Sequence, residues 1–517
     1  MTDAIEHVVI LGGGSAGWLT AAVLAAEHNT ASGAGLKITL IESPDVPIIG
    51  VGEGTWPTMR DTLRRTGVTE ADFIRECDGA FKQGSKFVGW AEGNAGDYYY
   101  HPFVLPQGFL ETNVVAGWMQ HPEIPFGKLV SFQPHLCEAG KAPKQFSTPE
   151  YAAVANYAYH LDAGKLGVFM RRHCIERLGV RHVSDHVTGV NAHENGDIAS
   201  LQTRESGAIE GDLFVDCTGM RALLIGQHCG ITIESMKDVL FNDRAIALQV
   251  PYADPRVEIA CQTVSTAQSS GWIWDIGLQT RRGVGHVYSS THTTDEAAAE
   301  ELRRYVMATG GREEDIRTLP TITIRPGFRR ESWSRNCVAI GLSSGFMEPL
   351  EASSLVMVEL AAGMLADQMP ATRAAVDIVA KRYNDTFSYR WDRIVDFLKL
   401  HYVLSRRDDS EYWRDNCRPE SIPDRLQEMM ALWRHQPPTR YDLPRVEEVF
   451  PSASYQYILY GMGFRPDPRP RSRWMDDARQ AEGYFRKAAD LTRKMLAALP
   501  GHREMLDHVM TRGMPRL

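Results

Sequence analysis

Apolar and polar positions set out a strand, a turn and a helix at the start of the chain. His7 to Leu11 is a short apolar run with the β-branched residues that suit a buried parallel strand. Gly12 to Gly17 follows, and Trp18 to Glu27 is rich in Ala and Leu, which predicts a helix. A Gly/Ser/Asn loop then leads to a second predicted strand, Leu36 to Ile41, ending at Glu42. The whole is a βαβ unit. Further strands are predicted at Leu213–Val215, Ala245–Val250 and Cys337–Ile340. From about Leu355 the pattern turns helical, over Leu355 to Gln368 and again over Val376 to Leu404. Pro-rich joints near 436–439 and 465–470 separate the remaining amphipathic stretches. No internal repeat or low-complexity tract interrupts the pattern. It predicts an α/β part over 1–365 and a helical part over 366–517 that covers it.

Composition narrows the class. Hydrophobic residues make up 43% of the 517 and charged residues 23%, so a large core can form and wholesale disorder is excluded. The net charge is −9 with no concentrated basic run, which argues against a nucleic-acid ligand. The cysteines at 77, 137, 174, 217, 229, 261, 337 and 417 are scattered, with no CxxC and no His/Cys cluster at zinc spacing. That points to a reducing compartment and away from a disulfide scaffold or a metal site. The start, MTDAIEHVVILGGG, lacks the basic n-region of a signal peptide, and no apolar run reaches the ~18 residues of a membrane span. The expectation is a soluble, cytoplasmic protein with no membrane partner.

Chemistry first appears in the opening turn. Gly12, Gly14 and Gly17 form GxGxxG between strand and helix, with Ser15 and Ala16 between the last two glycines as expected cofactor contacts. The first glycine allows the tight turn, the second lets backbone approach a pyrophosphate, and the third lets helix and strand pack closely. The helix N-terminus then faces phosphate charge. Glu42 stands where a carboxylate accepts hydrogen bonds from ribose hydroxyls. Two later segments favour FAD over NAD. Asp212-Leu-Phe-Val-Asp-Cys-Thr-Gly219 resembles the strand-to-Thr-Gly stretch of two-domain flavoproteins. Cys337 to Phe346 resembles their second flavin-contact strand and turn, with Leu342 where an acidic residue is often found. A single dinucleotide fingerprint leaves no second site for NAD(P)H, so reducing equivalents come from elsewhere.

Three further motifs sharpen this: Gly271-Trp-Ile-Trp-Asp-Ile276, Phe81-Lys82 within DGAFKQGSKFVGW, and Glu348-Pro-Leu-Glu351 followed by Ala-Ser-Ser. With the opening glycines they resemble the flavin-dependent halogenases of the tryptophan halogenase family, to about residue 360. The family's motif often ends in Pro where Gly277 stands here. The resemblance implies a Rossmann-like two-domain flavoprotein fold, related to hydroxylases, with a helical C-terminal subdomain. It also implies a reaction. Reduced FAD and O₂ give a flavin hydroperoxide, chloride or bromide attacks it, and the hypohalous acid travels to a lysine beside the organic substrate.

Lys82 matches that lysine. An ammonium would hydrogen-bond hypohalous acid, whereas a neutral amine, favoured by desolvation, would form a haloamine; the residues leave both open. As a plain alternative Lys82 caps an amphipathic helix, with Lys86 on the same face four residues later. Glu351 matches the family's carboxylate, which orients oxidant and accepts the ring proton. It also suits the positive end of a helix starting near Ser353. The N–H groups of Ser353 and Ser354 align with the family's halide donors, and Ala352 replaces a hydroxyl found in relatives. Trp272 and Trp274, two apart on a strand, share one side and match the wall between flavin and substrate. Gly50 to Pro57 resembles the strap joining the two sites. Ile49, Gly50, Val187, Leu342 and Leu355 complete the expected flavin contacts.

His101 and Phe103 in Tyr98-Tyr-Tyr-His-Pro-Phe103 resemble the pair that sandwiches an indole. Free-tryptophan enzymes also clamp the amino acid with an adjacent Tyr-Tyr, a Glu and a Phe-Trp. The corresponding stretch, 441–464, is shorter and lacks both pairs; Gln456 splits Tyr455 from Tyr457. An indole-like or other electron-rich aromatic substrate is therefore expected ahead of free tryptophan. The other partner expected is a separate NAD(P)H-dependent flavin reductase, with a homodimer left open. A flavin aromatic hydroxylase and a non-catalytic flavin binder are the competing readings.

Overall fold

The computed structural model describes residues 4–46, 52–94, 96–316, 321–467 and 472–516. Two compact units emerge, and each is assembled from three separate stretches of chain. The first takes residues up to Gly79, Leu161–Met236 and Arg325–Trp391; the second takes Ala80–His160, Lys237–Ile324 and Asp392 onward. The expected single division near 365 is thus replaced by an interleaved one, because strands from distant stretches share one sheet.

The first unit is built on a six-stranded sheet. Its order is Trp333–Ser334, Cys337–Ala339, Leu213–Asp216, β1 (His7–Leu11), β2 (Lys37–Glu42) and Arg181–Ser184. All pairings are parallel except at the Trp333–Ser334 edge. Val8, Val9 and Ile10 are fully buried, as a strand covered on both faces requires. Helix α1 (Ser15–Glu27) packs between the helices Ala163–Glu176 and Ser353–Asp367. An antiparallel three-stranded meander, Val187–Ala192, Ile198–Thr203 and Ala208–Glu210, closes the apolar cluster on one side.

The second unit carries a seven-stranded sheet, ordered Thr321–Thr323, Arg244–Pro251, Arg281–Tyr288, Gly271–Gly277, Thr263–Ala267, Gly84–Val88 and Tyr98–Pro102. Ile273 and Val284 face the helix Asp295–Ala308, packing on Ala298, Leu302 and Val306. At its centre the Trp90 indole donates to the Ser265 carbonyl at 2.9 Å. Its ring lies 5.7 Å from Trp413 and 6.3 Å from Trp272. The helices Ser452–Gly461, Ser472–Ala498 and His502–Arg512 belong to this unit, and Arg373–Val403 runs from the first unit into the second. Among the described residues no helix is long and apolar enough to cross a membrane.

Candidate active site

The glycine turn is shaped for a diphosphate. Gly12 has φ +118°, and a Cβ there would lie 2.3 Å from the Cys217 carbonyl oxygen. A Cβ on Gly17 would lie 1.8 Å from the Gly12 oxygen, so strand and helix meet backbone to backbone. Gly14 is the opposite case, with nothing within 4 Å of where its Cβ would stand. That open side is the cradle. Gly14 caps α1 without a side-chain bond, and the first turn, Ser15, Ala16 and Gly17, carries no acidic residue. Its N–H groups have no intrahelical acceptors and meet an anion favourably. Ala16 lies against Gly341, which brings the turn carrying Leu342 to the same place.

Glu42 ends β2, its carboxylate beside Gly13 and 2.8 Å from His182 Nε2. Leu342 is 38% exposed, whereas Leu355 is buried and Val187 packs partly into the sheet's apolar cluster. Ile49 and Gly50 lie outside the described residues. Asp216, given no role of its own within the Asp212–Gly219 motif, organises this end of the sheet. Its two oxygens accept the N–H groups of Thr218, Leu224 and Ile225 and the Thr218 hydroxyl, at 2.6–2.9 Å. The residues present therefore fit an FAD diphosphate and ribose.

The second element of the first unit is the turn before helix Ser353–Asp367. Glu351 (φ 66°, ψ 9°) and Ala352 (φ 54°, ψ 44°) are both left-handed, a conformation costing about 1–2 kcal/mol for each non-glycine residue. Glu351 is therefore in a strained turn rather than in the first helical turn, which has no acidic residue. No side chain caps the helix, and the N–H groups of Ser353 and Ser354 in its first turn have no intrahelical acceptor. The Trp56 indole donates to the Glu351 carbonyl at 2.7 Å. Further along the same helix Glu359 is buried. It accepts the Thr62 hydroxyl at 2.6 Å, and burial pushes its pKa up to about 8.

In the second unit Lys82 is on a strand, not a helix. Ala80–Lys82 pairs antiparallel with Ala158–Leu161, Lys82 opposite Ala158 and Ala80 opposite His160. Lys82 is 1% exposed, and its ammonium lies 5.6 Å from the centre of the Phe103 ring. Helical spacing to Lys86 does not apply. Gly84 starts a new strand with φ +144°, and Lys86 reaches the rings of Tyr98 and Tyr100 instead. His160 is a diagonal neighbour of Lys82 on the same face of the ladder. It is fully buried, 2.9 Å from Thr263 Oγ1, and burial followed by the charge of Lys82 drives its pKa well down.

His101 lies 2.9 Å from Ser454 Oγ, with its ring near Phe397 and Tyr457. Phe103 is fixed through its backbone, whose N–H donates to Gln133 and whose carbonyl accepts from Asn156, both at 2.9 Å. Trp272 and Trp274 share a side of their strand, ring centres 6.3 Å apart. Trp274 lies across Gly285 on the neighbouring strand, where a Cβ would collide with the indole at 2.1 Å. Asp275 points the other way, to Arg282 at 2.7 Å and Tyr305 at 3.1 Å. Among the described residues no cluster of three His, Cys, Asp or Glu forms a metal site.

A doubly wound sheet with a glycine turn open to a diphosphate, a short ladder that buries Lys82 and a separate seven-stranded sheet bearing Trp272 and Trp274 fit the class of flavin-dependent halogenases. The family model for tryptophan halogenase matches residues 7–477, well past the point the motifs reach. 7-Chloro-L-tryptophan 6-halogenase KtzR of Kutzneria sp. is 36% identical over 96% of this chain and 98% of its own length. Tryptophan 7-halogenase RebH of Lentzea aerocolonigenes is 32% identical over 98% and 99%. The crystal structure of tryptophan halogenase from Shewanella frigidimarina superposes with a TM-score of 0.94, at 46% identity over 99% of both chains. The chain belongs to the tryptophan halogenase family.

Proposed function

We propose that the protein uses O₂, reduced FAD and chloride or bromide to halogenate an indole-like or other electron-rich aromatic ring. Bound reduced FAD supplies the activation of O₂ from which hypohalous acid arises. Gly12, Gly14, Ser15, Ala16 and Gly17 hold its diphosphate and Glu42 its ribose. Val187, Leu342 and Leu355 are apolar contacts, and the family motif adds Ile49 and Gly50. Ser353 and Ser354 hold the halide through backbone N–H groups. Lys82 receives the oxidant, either donating hydrogen bonds from its ammonium or taking the halogen on a neutral amine. The ring's π electrons take the halogen as its bond to oxygen breaks, and the ring proton passes by way of Glu351 to the departing hydroxide, which leaves as water. His101 and Phe103 stack the ring, and Trp272 and Trp274 keep it away from the flavin.

The supporting observation is Lys82 itself, an amine shut away from water above an aromatic face. Tyr455 and Tyr457 support an indole ahead of free tryptophan. Both are buried, and the Tyr457 hydroxyl already donates to the Val104 carbonyl at 3.0 Å. A separate NAD(P)H-dependent reductase supplies reduced flavin. The test incubates the protein with such a reductase, FAD, NADH and bromide or chloride, offering indole and L-tryptophan in parallel. A halogen isotope pattern on indole is expected. A gain of one oxygen would assign a hydroxylase, and halogenation of tryptophan alone would overturn the substrate reading.

A further inference from the structure

The turn that carries Glu351 needs something to hold it. Glu351 and Ala352 are the only adjacent non-glycine residues in the left-handed region among those described. Such backbone persists where its surroundings fix it. One tie is local, the Ala352 N–H donating to the Pro349 carbonyl at 2.9 Å. Another comes from nearly 300 residues away, the Trp56 indole N–H donating to the Glu351 carbonyl at 2.7 Å. The helix Met59–Arg65, which begins three residues after Trp56, anchors it in turn. Thr62 on that helix bonds Glu359, on the helix that the strained turn opens. Thr58 adds a longer bond to the same carboxylate at 3.4 Å, so three bonds join the 56–62 segment to the turn before Ser353–Asp367 and to the middle of that helix.

We propose that Trp56 is a positioning residue for halide use. Its N–H pins the left-handed Glu351 peptide and so sets where the Ser353 and Ser354 N–H groups point. This rests on the halide role proposed for those two residues. Trp56→Phe keeps an aromatic ring and removes the donor. The expected result is a KM for chloride and bromide about ten-fold higher and less halogenated product per flavin oxidised, with FAD affinity and flavin reoxidation within two-fold of the parent. Adding Ala352→Gly, which takes the left-handed conformation freely, should recover at least half of the lost halide affinity.

An unchanged halide KM in Trp56→Phe overturns the proposal. So does an equal loss of FAD affinity, or a double variant no better than the single one. Bromide anomalous scattering from crystals of the parent chain separates the two readings. A peak away from the Ser353 and Ser354 N–H groups overturns the halide assignment itself. A peak there with an unchanged KM in the variant overturns only the role of Trp56.

Discussion

His502 accepts the backbone N–H of Phe81 at its Nε2, 3.0 Å away, one residue before Lys82. Its other nitrogen lies 2.9 Å from the Ile259 carbonyl, so Nδ1 carries the proton and donates. The bond from Phe81 requires a neutral ring, because a protonated Nε2 could not accept it. Burial, offset in part by that carbonyl and reinforced by Arg503, lowers its pKa from 6.5 to about 4.

The sign of the pH effect is set by that shift. Between pH 6.5 and about 4 the unfolded chain binds a proton here that the folded chain refuses, so stability falls as pH drops through that window. The slope from this one group reaches at most about 1.4 kcal/mol per pH unit. His502→Gln should cost about 1–3 kcal/mol at pH 7 and lose part of the acid slope. Urea unfolding at pH 4.5, 5.5 and 7 measures both. An undiminished slope would remove His502 from the acid response.

Glu359 behaves in the opposite sense. Its folded pKa is raised from 4.5 to about 8, so the folded chain holds a proton that the unfolded chain releases. Stability from this site is full below pH 4.5 and is lost as pH rises towards 8. Glu359→Gln keeps an uncharged partner for Thr62 and should raise the melting temperature at pH 8 more than at pH 5. Thermal unfolding at the two pH values checks this.

Two glycines of the same turn should respond differently. Gly14→Ala places a methyl group in open space at φ −76°, where any residue fits. Stability should hold or rise by about 0.4–1 kcal/mol while FAD affinity falls. Gly17→Ala forces a methyl against the Gly12 carbonyl and should cost about 1–3 kcal/mol or more. Thermal unfolding without FAD and a fluorescence titration with FAD separate the two effects.

Lys82→Ala should abolish halogenated product while flavin reoxidation continues at the parent rate. Product analysis alongside oxygen uptake tests both parts, and retained product would remove Lys82 from the chemistry.

Local features were legible in the sequence. The βαβ opening, the glycine spacing and the Trp-x-Trp strand come from short-range periodicity, and the structure reproduces them within three residues at the ends. Lys82 shows where that reasoning stopped. Spacing to Lys86 suggested a helical face, but the backbone of Gly84, beside His101, divides the segment into two strands. His160 and His502 carried no signal, and Trp56 and Asp216 lay inside motifs that gave them no individual role. Their roles depend on partners supplied by folding, such as Phe81, more than 400 residues from His502. The division into units was hidden for the same reason, since strand pairing between distant stretches leaves no local trace.

The interleaving of the two units has a practical consequence. The chain changes unit at Ala80, Leu161, Lys237, Arg325 and Asp392, so no single cut yields one intact half. Expressing a fragment, or grafting a foreign partner at one junction, would leave both hydrophobic cores missing strands or helices. Engineering of new ring specificity in this scaffold must therefore proceed by point changes and loop grafts, with the polypeptide inherited whole.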